Sequence, residues 1–239
     1  MNDLILCELS DASRWGVASF SPFCLKAHTA LVVGGLPFAR RHGTSPASFR
    51  KYNPTEQVPV LLEGDRATPD STAILLRILD LAPGRIDASP EGWLWEELAD
   101  TSLNGFLVAS RWADPENWPR VRDAYFDGMP GPVKAIVPAW LRRGVVRTLV
   151  ARDVWRAGPA ACWDRFDRLL DQLDARAPGD GFWCGERIGV ADLGLFGQLR
   201  SFGTALTPAQ GAAVAARPRL SAWLARVEGA AARPRALAA

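Results

Sequence analysis

Residues 53–74 read NPTEQVPVLLEGDRATPDSTAI, and the changes of pattern inside that stretch decide the fold. Asn53-Pro54 ends any helix before it, because the residue preceding a proline is pushed out of the helical region. Val58-Pro59-Val60-Leu61-Leu62 is a short apolar run of strand length, Glu63-Gly64-Asp65 has the composition of a hairpin turn, and Arg66-Ala67-Thr68 can return as a paired edge strand. From Asp70 the pattern changes again: Ile74, Leu75, Ile78 and Leu79 recur at helical spacing until Leu81, just before Ala82-Pro83-Gly84. A hairpin therefore runs directly into a helix.

Working outward, Leu4 to Leu9 is an apolar run closed by Ser10-Asp11 and reads as a buried strand of a parallel or mixed sheet. Ser21-Pro22 opens a helix, since serine is a favoured N-cap and proline a favoured first helical residue; Gly34-Gly35 closes it, with Pro37 beyond. Phe38 to His42 forms a second strand, and Ser45 to Tyr52 a short helix. The order is strand, helix, strand, helix, strand, strand, helix, an α/β N-terminal domain over 1–81. Residues 82–90, APGRIDASP, form a linker, and 91–239 reads as an all-α C-terminal domain. Its helices are expected over 91–111, 119–126, 133–155, 159–176, 190–202 and 208–230.

The 239 residues are 48% hydrophobic and 23% charged, a profile that suits globular domains with a sizeable core. The 28 basic and 26 acidic residues are interspersed and leave a net charge of +2, so no basic face calls for nucleic acid. Cys7, Cys24, Cys162 and Cys184 form no C-x-x-C pair, which argues against a zinc site or a disulfide scaffold and fits a reducing compartment. The start MNDLILCELSDASRW lacks the basic beginning and long apolar run of a signal peptide. No segment reaches the roughly 18 apolar residues of a membrane span, so the expected location is the cytoplasm. His28 and His42 are too isolated to make a metal site or a catalytic pair.

This element order resembles the thioredoxin-like domain of glutathione S-transferases, a superfamily in which an all-helical domain follows a short linker. The carriers of the resemblance are S-P-F-C-L-K at 21–26, N-P-x-x-x-V-P-V-L at 53–61, P-D-S-x-A-I at 69–74 and G-x-A-D-L at 189–193, and together they span nearly the whole chain. The segment R-W-G-V-x-S-F-S-P-F-C-L-K with M-P-G-P-V-K also resembles a bacterial branch related to metaxin-like homologues. The resemblance implies glutathione as co-substrate, a small apolar electrophile as its partner, no metal, and a homodimer.

It also implies a site. Ser21-Pro22-Phe23-Cys24 resembles the C-P-Y/F-C of glutaredoxins with the first cysteine replaced by serine. Dithiol exchange needs a low-pKa cysteine at that place, and Ser21 cannot supply it. A hydroxyl there can donate to a bound glutathione sulfur. Lowering a thiol pKa by about two units requires roughly 2.7 kcal/mol, and a hydrogen bond to a charged group contributes roughly 1.5 to 3, with the helix end adding about 0.3 to 1. Ser21 is also sufficiently explained as an N-cap. Val58-Pro59 matches the cis-proline position of the superfamily, where the preceding main chain pairs with the cysteinyl unit of glutathione; a trans proline at a strand start is the alternative.

Asp70-Ser71 resembles the acidic-serine pair that receives the γ-glutamyl group, and a capped helix is its plain alternative. Gln57 is a further candidate for the ligand backbone, and Arg50 or Lys51 for its glycyl carboxylate. Ser19, Arg14 and Cys24 rank below Ser21 as partners of the sulfur, with Cys24 read as a buried structural thiol. Gly189-Val190-Ala191-Asp192 resembles the S/T-x-x-D capping box of the family, with glycine at the cap and hence a weakened folding element. Trp93, Trp95, Trp112, Trp118 and Tyr125 are expected to face the cleft or a dimer interface. Three functions follow from these residues: conjugation through Ser21, a non-catalytic ligand-binding or interaction protein, and glutathione-dependent disulfide chemistry through Cys24.

Overall fold

The computed structural model describes residues 3–9, 18–152 and 154–232. Four short strands make one mixed sheet in the order β2-β1-β3-β4. The central strand β1 (Leu4–Leu9) pairs in parallel with β2 (Phe38–Gly43) and antiparallel with β3 (Val60–Glu63). β3 then pairs with β4 (Arg66–Pro69), and the turn between them contains Gly64 at φ 59°. The parallel β1–β2 connection requires a crossover, and helix α1 (Pro22–Gly34) makes it. α2 (Ser71–Leu81) leaves β4 directly, and Leu6, Leu31, Leu61, Ile74 and Ile78 bury the space between sheet and helices. The expected helix over 45–52 is a single 3₁₀ turn, Pro46–Phe49, because Phe49 is the one fully buried residue of that stretch and Asn53-Pro54 then breaks the helical path into a turn closed by Glu56 N–H on the Asn53 carbonyl.

From Pro90 onward the regular elements described are helices. α3 (Pro90–Leu98) and α4 (Asn104–Val108) are joined by one π turn, Ala99–Leu103, and followed by another, Ala109–Ala113. Then come α5 (Trp118–Tyr125), α6 (Gly131–Arg152), α7 (Gly158–Arg176), α8 (Val190–Phe202), α9 (Pro208–Ala215) and α10 (Pro218–Ala232). The single helix expected over 208–230 is two, since Pro218 has no N–H to continue α9 and starts α10. None of the described helices is long and apolar enough to cross a membrane.

α8 is buried along nearly its whole length and joins the two halves. A Cβ at Gly197 would lie 2.8 Å from the Pro22 carbonyl oxygen, so glycine permits α8 to rest on the first turn of α1. The start of α8 is stronger than its missing cap hydroxyl suggests. Asp192, fully buried, accepts from Gly189 N–H (2.9 Å), Trp183 N–H (2.9 Å) and Trp223 Nε1–H (2.8 Å). Glycine stands at 189 because the chain at Asp87 passes against it: a Cβ there would meet the Asp87 carbonyl at 3.0 Å, and Asp87 bonds Ile188 and Val190 through its backbone.

The two halves also share a buried ion cluster. Lys26 of α1, only 1% exposed, donates from Nζ to Glu96 Oε1 (2.6 Å), Asp100 Oδ2 (2.5 Å) and Thr72 Oγ1 (3.2 Å). Burial raises the Asp100 carboxyl to about 6, against the lowering influence of Lys26. Removing one partner of such a cluster strands the others. Lys26→Met is expected to destabilise the fold by about 3 to 5 kcal/mol in urea unfolding. Adding Glu96→Gln and Asp100→Asn to it should recover most of the loss, and no recovery would contradict the assigned cause.

Candidate functional site

Register brings the sequence motifs to one end of the sheet. Cys7 of β1 pairs with Val60, and Val60 pairs with Pro69, so the end of β1, the start of β3 and the end of β4 lie side by side. Val58-Pro59 precedes β3 and Asp70-Ser71 follows β4, so both pairs sit at that edge. The first turn of α1 joins them: Cys24 packs in one cluster with Cys7, Val58 and Val60.

Ser21 is the N-cap of α1, in extended conformation (φ −85°, ψ 121°), and its hydroxyl accepts from Cys24 N–H at 3.3 Å. It is half-buried, so a small ligand can reach it. The Phe20–Ser21 peptide is held at both faces. Ser21 N–H donates to the buried Ser19 hydroxyl (3.3 Å), and the Phe20 carbonyl accepts from Arg111 Nη1 (2.5 Å). Cys24 is fully buried, and burial pushes its thiol up to about 12 although the Ser21 hydroxyl and the Leu9 backbone pull it down. Arg14 lies outside the described residues.

The Val58-Pro59 peptide is cis. Gln57 is exposed, and its carbonyl accepts from Asn53 Nδ2 (3.0 Å), which ties the approach to β3. Asp70 sits at φ 76°, ψ 134°, a region that costs a non-glycine residue about 1 to 3 kcal/mol. Its Oδ1 accepts from Thr72 and Ala73 N–H, both at 2.9 Å, and that capping offsets part of the cost. Two of the α2 N-terminal donors are thereby used, which leaves the Ser71 backbone N–H and hydroxyl at the helix start. Ser71 itself is buried, and Asp70 is exposed. Of the basic candidates, Arg50 is ion-paired with Glu56, and Lys51 lies over the Tyr52 ring at 5.5 Å.

The tryptophans divide. Trp112, Trp118 and Tyr125 form one aromatic group, with Trp112 to Trp118 at 5.6 Å and Trp112 to Tyr125 at 5.9 Å, and Tyr125 packs 4.9 Å from Phe20, the residue before Ser21. Trp95 instead packs on Trp183, which packs on Trp223 beside Asp192, and Trp93 packs against the main core, so neither faces the site. The motif reading passed over Arg111, because an isolated arginine in a helical stretch carries no pattern; only the folded chain places it against Phe20. His28 is pushed down to about 4 by burial and by Arg40, and His42 lies 3.6 Å from Glu8. Among the described residues no group of three potential ligands is placed to hold a metal ion. A cavity of about 430 Å³ opens elsewhere, in the helical half between Asp114, Trp155, Trp163 and Gln210.

Known proteins share this fold. The family model described as glutathione S-transferase, N-terminal domain, matches residues 17–86, and that for the C-terminal domain matches residues 138–226. No curated protein sequence matches. Among solved structures, the beta-etherase LigF from Sphingobium sp. strain SYK-6 is similar at a TM-score of 0.65 and 20% identity, over 97% of this chain and 96% of that one. Glutathione transferase GSTFuA3 from Phanerochaete chrysosporium has a TM-score of 0.67 at 14% identity, over 96% and 98%. A theta class enzyme from Xanthomonas axonopodis pv. citri, solved with glutathione bound, has a TM-score of 0.59 at 18% identity, over 100% and 99%. At these identities the structural likeness speaks for the fold, and the two matching domain models carry the assignment: the chain belongs to the glutathione S-transferase superfamily.

Proposed function

We propose that this protein is a glutathione transferase that directs the thiolate of glutathione, stabilised by Ser21, at an apolar electrophile. The observation that carries this reading is the placement, at one end of the sheet, of a half-buried N-cap hydroxyl with Val58-Pro59 and the start of α2. The glutathione bound in the Xanthomonas relative supports it. Val58 offers main-chain groups to the cysteinyl unit, Ser71 offers a hydroxyl and an N–H to the γ-glutamyl carboxylate, and the free oxygen of Asp70 offers a partner for its ammonium. Gln57 lies beside this path.

In the reaction the glutathione thiol first gives its proton to solvent as the thiolate forms beside Ser21; the sulfur lone pair then forms a C–S bond to the electrophilic carbon, the bond to the leaving group breaks, and its electron pair departs with that group. Ser21 keeps its proton throughout and donates a hydrogen bond to the sulfur. Its present bond accepts from Cys24 N–H, so cap and donor roles use different parts of one hydroxyl. The aromatic group of Trp112, Trp118 and Tyr125 supplies an apolar wall next to Phe20. We read residues 1–81 and 91–239 as the two domains, joined by 82–90. We read the protein as a cytoplasmic homodimer, for which Leu94 (73% exposed), Ile136 (70%) and Trp140 (70%) offer apolar surface.

Chemistry through Cys24 is not favoured, because a fully buried thiol pushed up to about 12 is neither ionised at neutral pH nor accessible to a disulfide. Cys24→Ala should therefore keep the conjugating activity, and its loss would revive the disulfide reading.

Ser21→Ala should lower kcat/KM with aromatic halides or epoxides by about 10- to 150-fold, the worth of one hydrogen bond to a charged sulfur. An unchanged rate would reduce Ser21 to a cap, and saturable glutathione binding without turnover of any electrophile would leave a ligand carrier. Asp70→Asn keeps the cap but removes the charge. Its unfolding midpoint should stay near that of the wild type, while calorimetry should find glutathione bound roughly tenfold more weakly. Equal affinity would remove Asp70 from the binding site.

A further inference from the structure

Arg111 lies in the π turn Ala109–Ala113, 4% exposed. A guanidinium so deeply buried normally sits against a carboxylate, because an uncompensated charge away from water is costly. Here it does not. Nη1 donates to the Phe20 carbonyl (2.5 Å) and to the Tyr125 hydroxyl (2.9 Å), and Nη2 donates to the Ser201 carbonyl (3.0 Å). Among the described residues its hydrogen bonds go to the Phe20 and Ser201 carbonyls and the Tyr125 hydroxyl and to no carboxylate, and its Nε–H is buried without a partner. The Ser201 carbonyl belongs to the last turn of α8, whose negative dipole end offsets part of the charge. The remainder faces neutral oxygens.

One of those oxygens is the carbonyl of the peptide that carries Ser21 N–H. Arg111 on one side and Ser19 Oγ on the other fix that peptide's plane, and with it the direction in which Ser21 leaves the backbone. Tyr125 closes the clasp, accepting from the same Nη1 while its ring covers Phe20 at 4.9 Å.

From this juxtaposition, and resting on the reading of Ser21 as the thiolate's partner, we propose that Arg111 is a positioning residue of the site. It clamps the Phe20–Ser21 peptide and supplies a buried positive charge whose missing counter-anion is the glutathione thiolate held at Ser21. Arg111 does not touch the sulfur; it acts through Phe20 and through its field. A thiolate at Ser21 would find less competing positive charge elsewhere at this depth, since Lys26, the buried cation of α1, is matched by Glu96 and Asp100.

The test compares wild type, Arg111→Gln, Arg111→Lys and Tyr125→Phe. The thiol of bound glutathione is titrated by its ultraviolet thiolate absorbance, and exchange of the Cys24 and Leu25 amides is followed by hydrogen exchange. Arg111→Gln should raise the apparent thiol pKa by about one unit, so that kcat/KM falls about tenfold on the acid side and recovers as pH rises, with the KM for glutathione little changed. Arg111→Lys keeps the charge and loses the fork, so it should restore at least half of the pKa shift while amide exchange stays faster than in wild type. Should Arg111→Gln fail to fold, Tyr125→Phe and Arg111→Lys carry the same two readouts.

A bound-thiol pKa in Arg111→Gln equal to that of the wild type would overturn the proposal. So would unchanged exchange at Cys24 and Leu25. If the wild type binds no glutathione, the transferase reading fails by that result, and the exchange measurement alone decides whether Arg111 clamps Ser21.

Discussion

The burial of Lys26 is the constraint on which the rest of the structure depends. An ammonium at 1% exposure is tolerable only with its charge matched, and the matching groups come from across the molecule: Glu96 and Asp100 from the first helical segment after the linker, and Thr72 from the first turn of α2. Thr72 Oγ1 also donates to Glu96 Oε1 at 2.7 Å, so the cluster closes on itself. Its geometry places the start of α2, where Asp70-Ser71 stands, relative to α1, where Ser21 stands. The separation between two candidate binding elements is thus set by an interaction in which neither takes part.

α8 serves the same end by packing. Gly197 admits it to the first turn of α1, Asp192 gathers three buried donors at its start, and its last turn gives Arg111 the Ser201 carbonyl. The loop before Ser21 is therefore supported from the helical half through a rigid, buried helix, which is how a hydroxyl on an otherwise open helix terminus can be held in one place. The π turn around Arg111 is part of that support, a common device where a helix must turn a side chain toward a site.

Much of the sheet half was legible along the chain. Leu4–Leu9, the hairpin over 58–69 and the helix from Ser71 have the periodicities and turn residues that their backbones require, and the observed elements keep nearly the expected bounds. The motif positions at Ser21, Val58-Pro59 and Asp70-Ser71 were likewise readable, since each depends on a local cap or peptide. The helical half was less so. The break at Pro218, the π turns and the division of the tryptophans between an Asp192-centred core and the Phe20 side depend on which helix face meets which neighbour. Gly189 misled for the same reason: the cap hydroxyl is absent because Asp87 occupies its space.

By itself the sequence determined the element order, the hairpin-to-helix junction, the replacement of a glutaredoxin-type cysteine by Ser21, and the residues able to cap each helix, all consequences of dihedral preference and side-chain chemistry within a few positions. Only the tertiary structure decided how completely Cys24 is buried, that Asp70 spends one oxygen on its own helix, and that Arg111 is buried against Phe20 while Lys26 is buried against Glu96 and Asp100. Those outcomes depend on desolvation and on partners from distant segments, such as Arg111 bonded to Phe20 and Ser201, and no local pattern in a chain records which distant groups will share the same dry space.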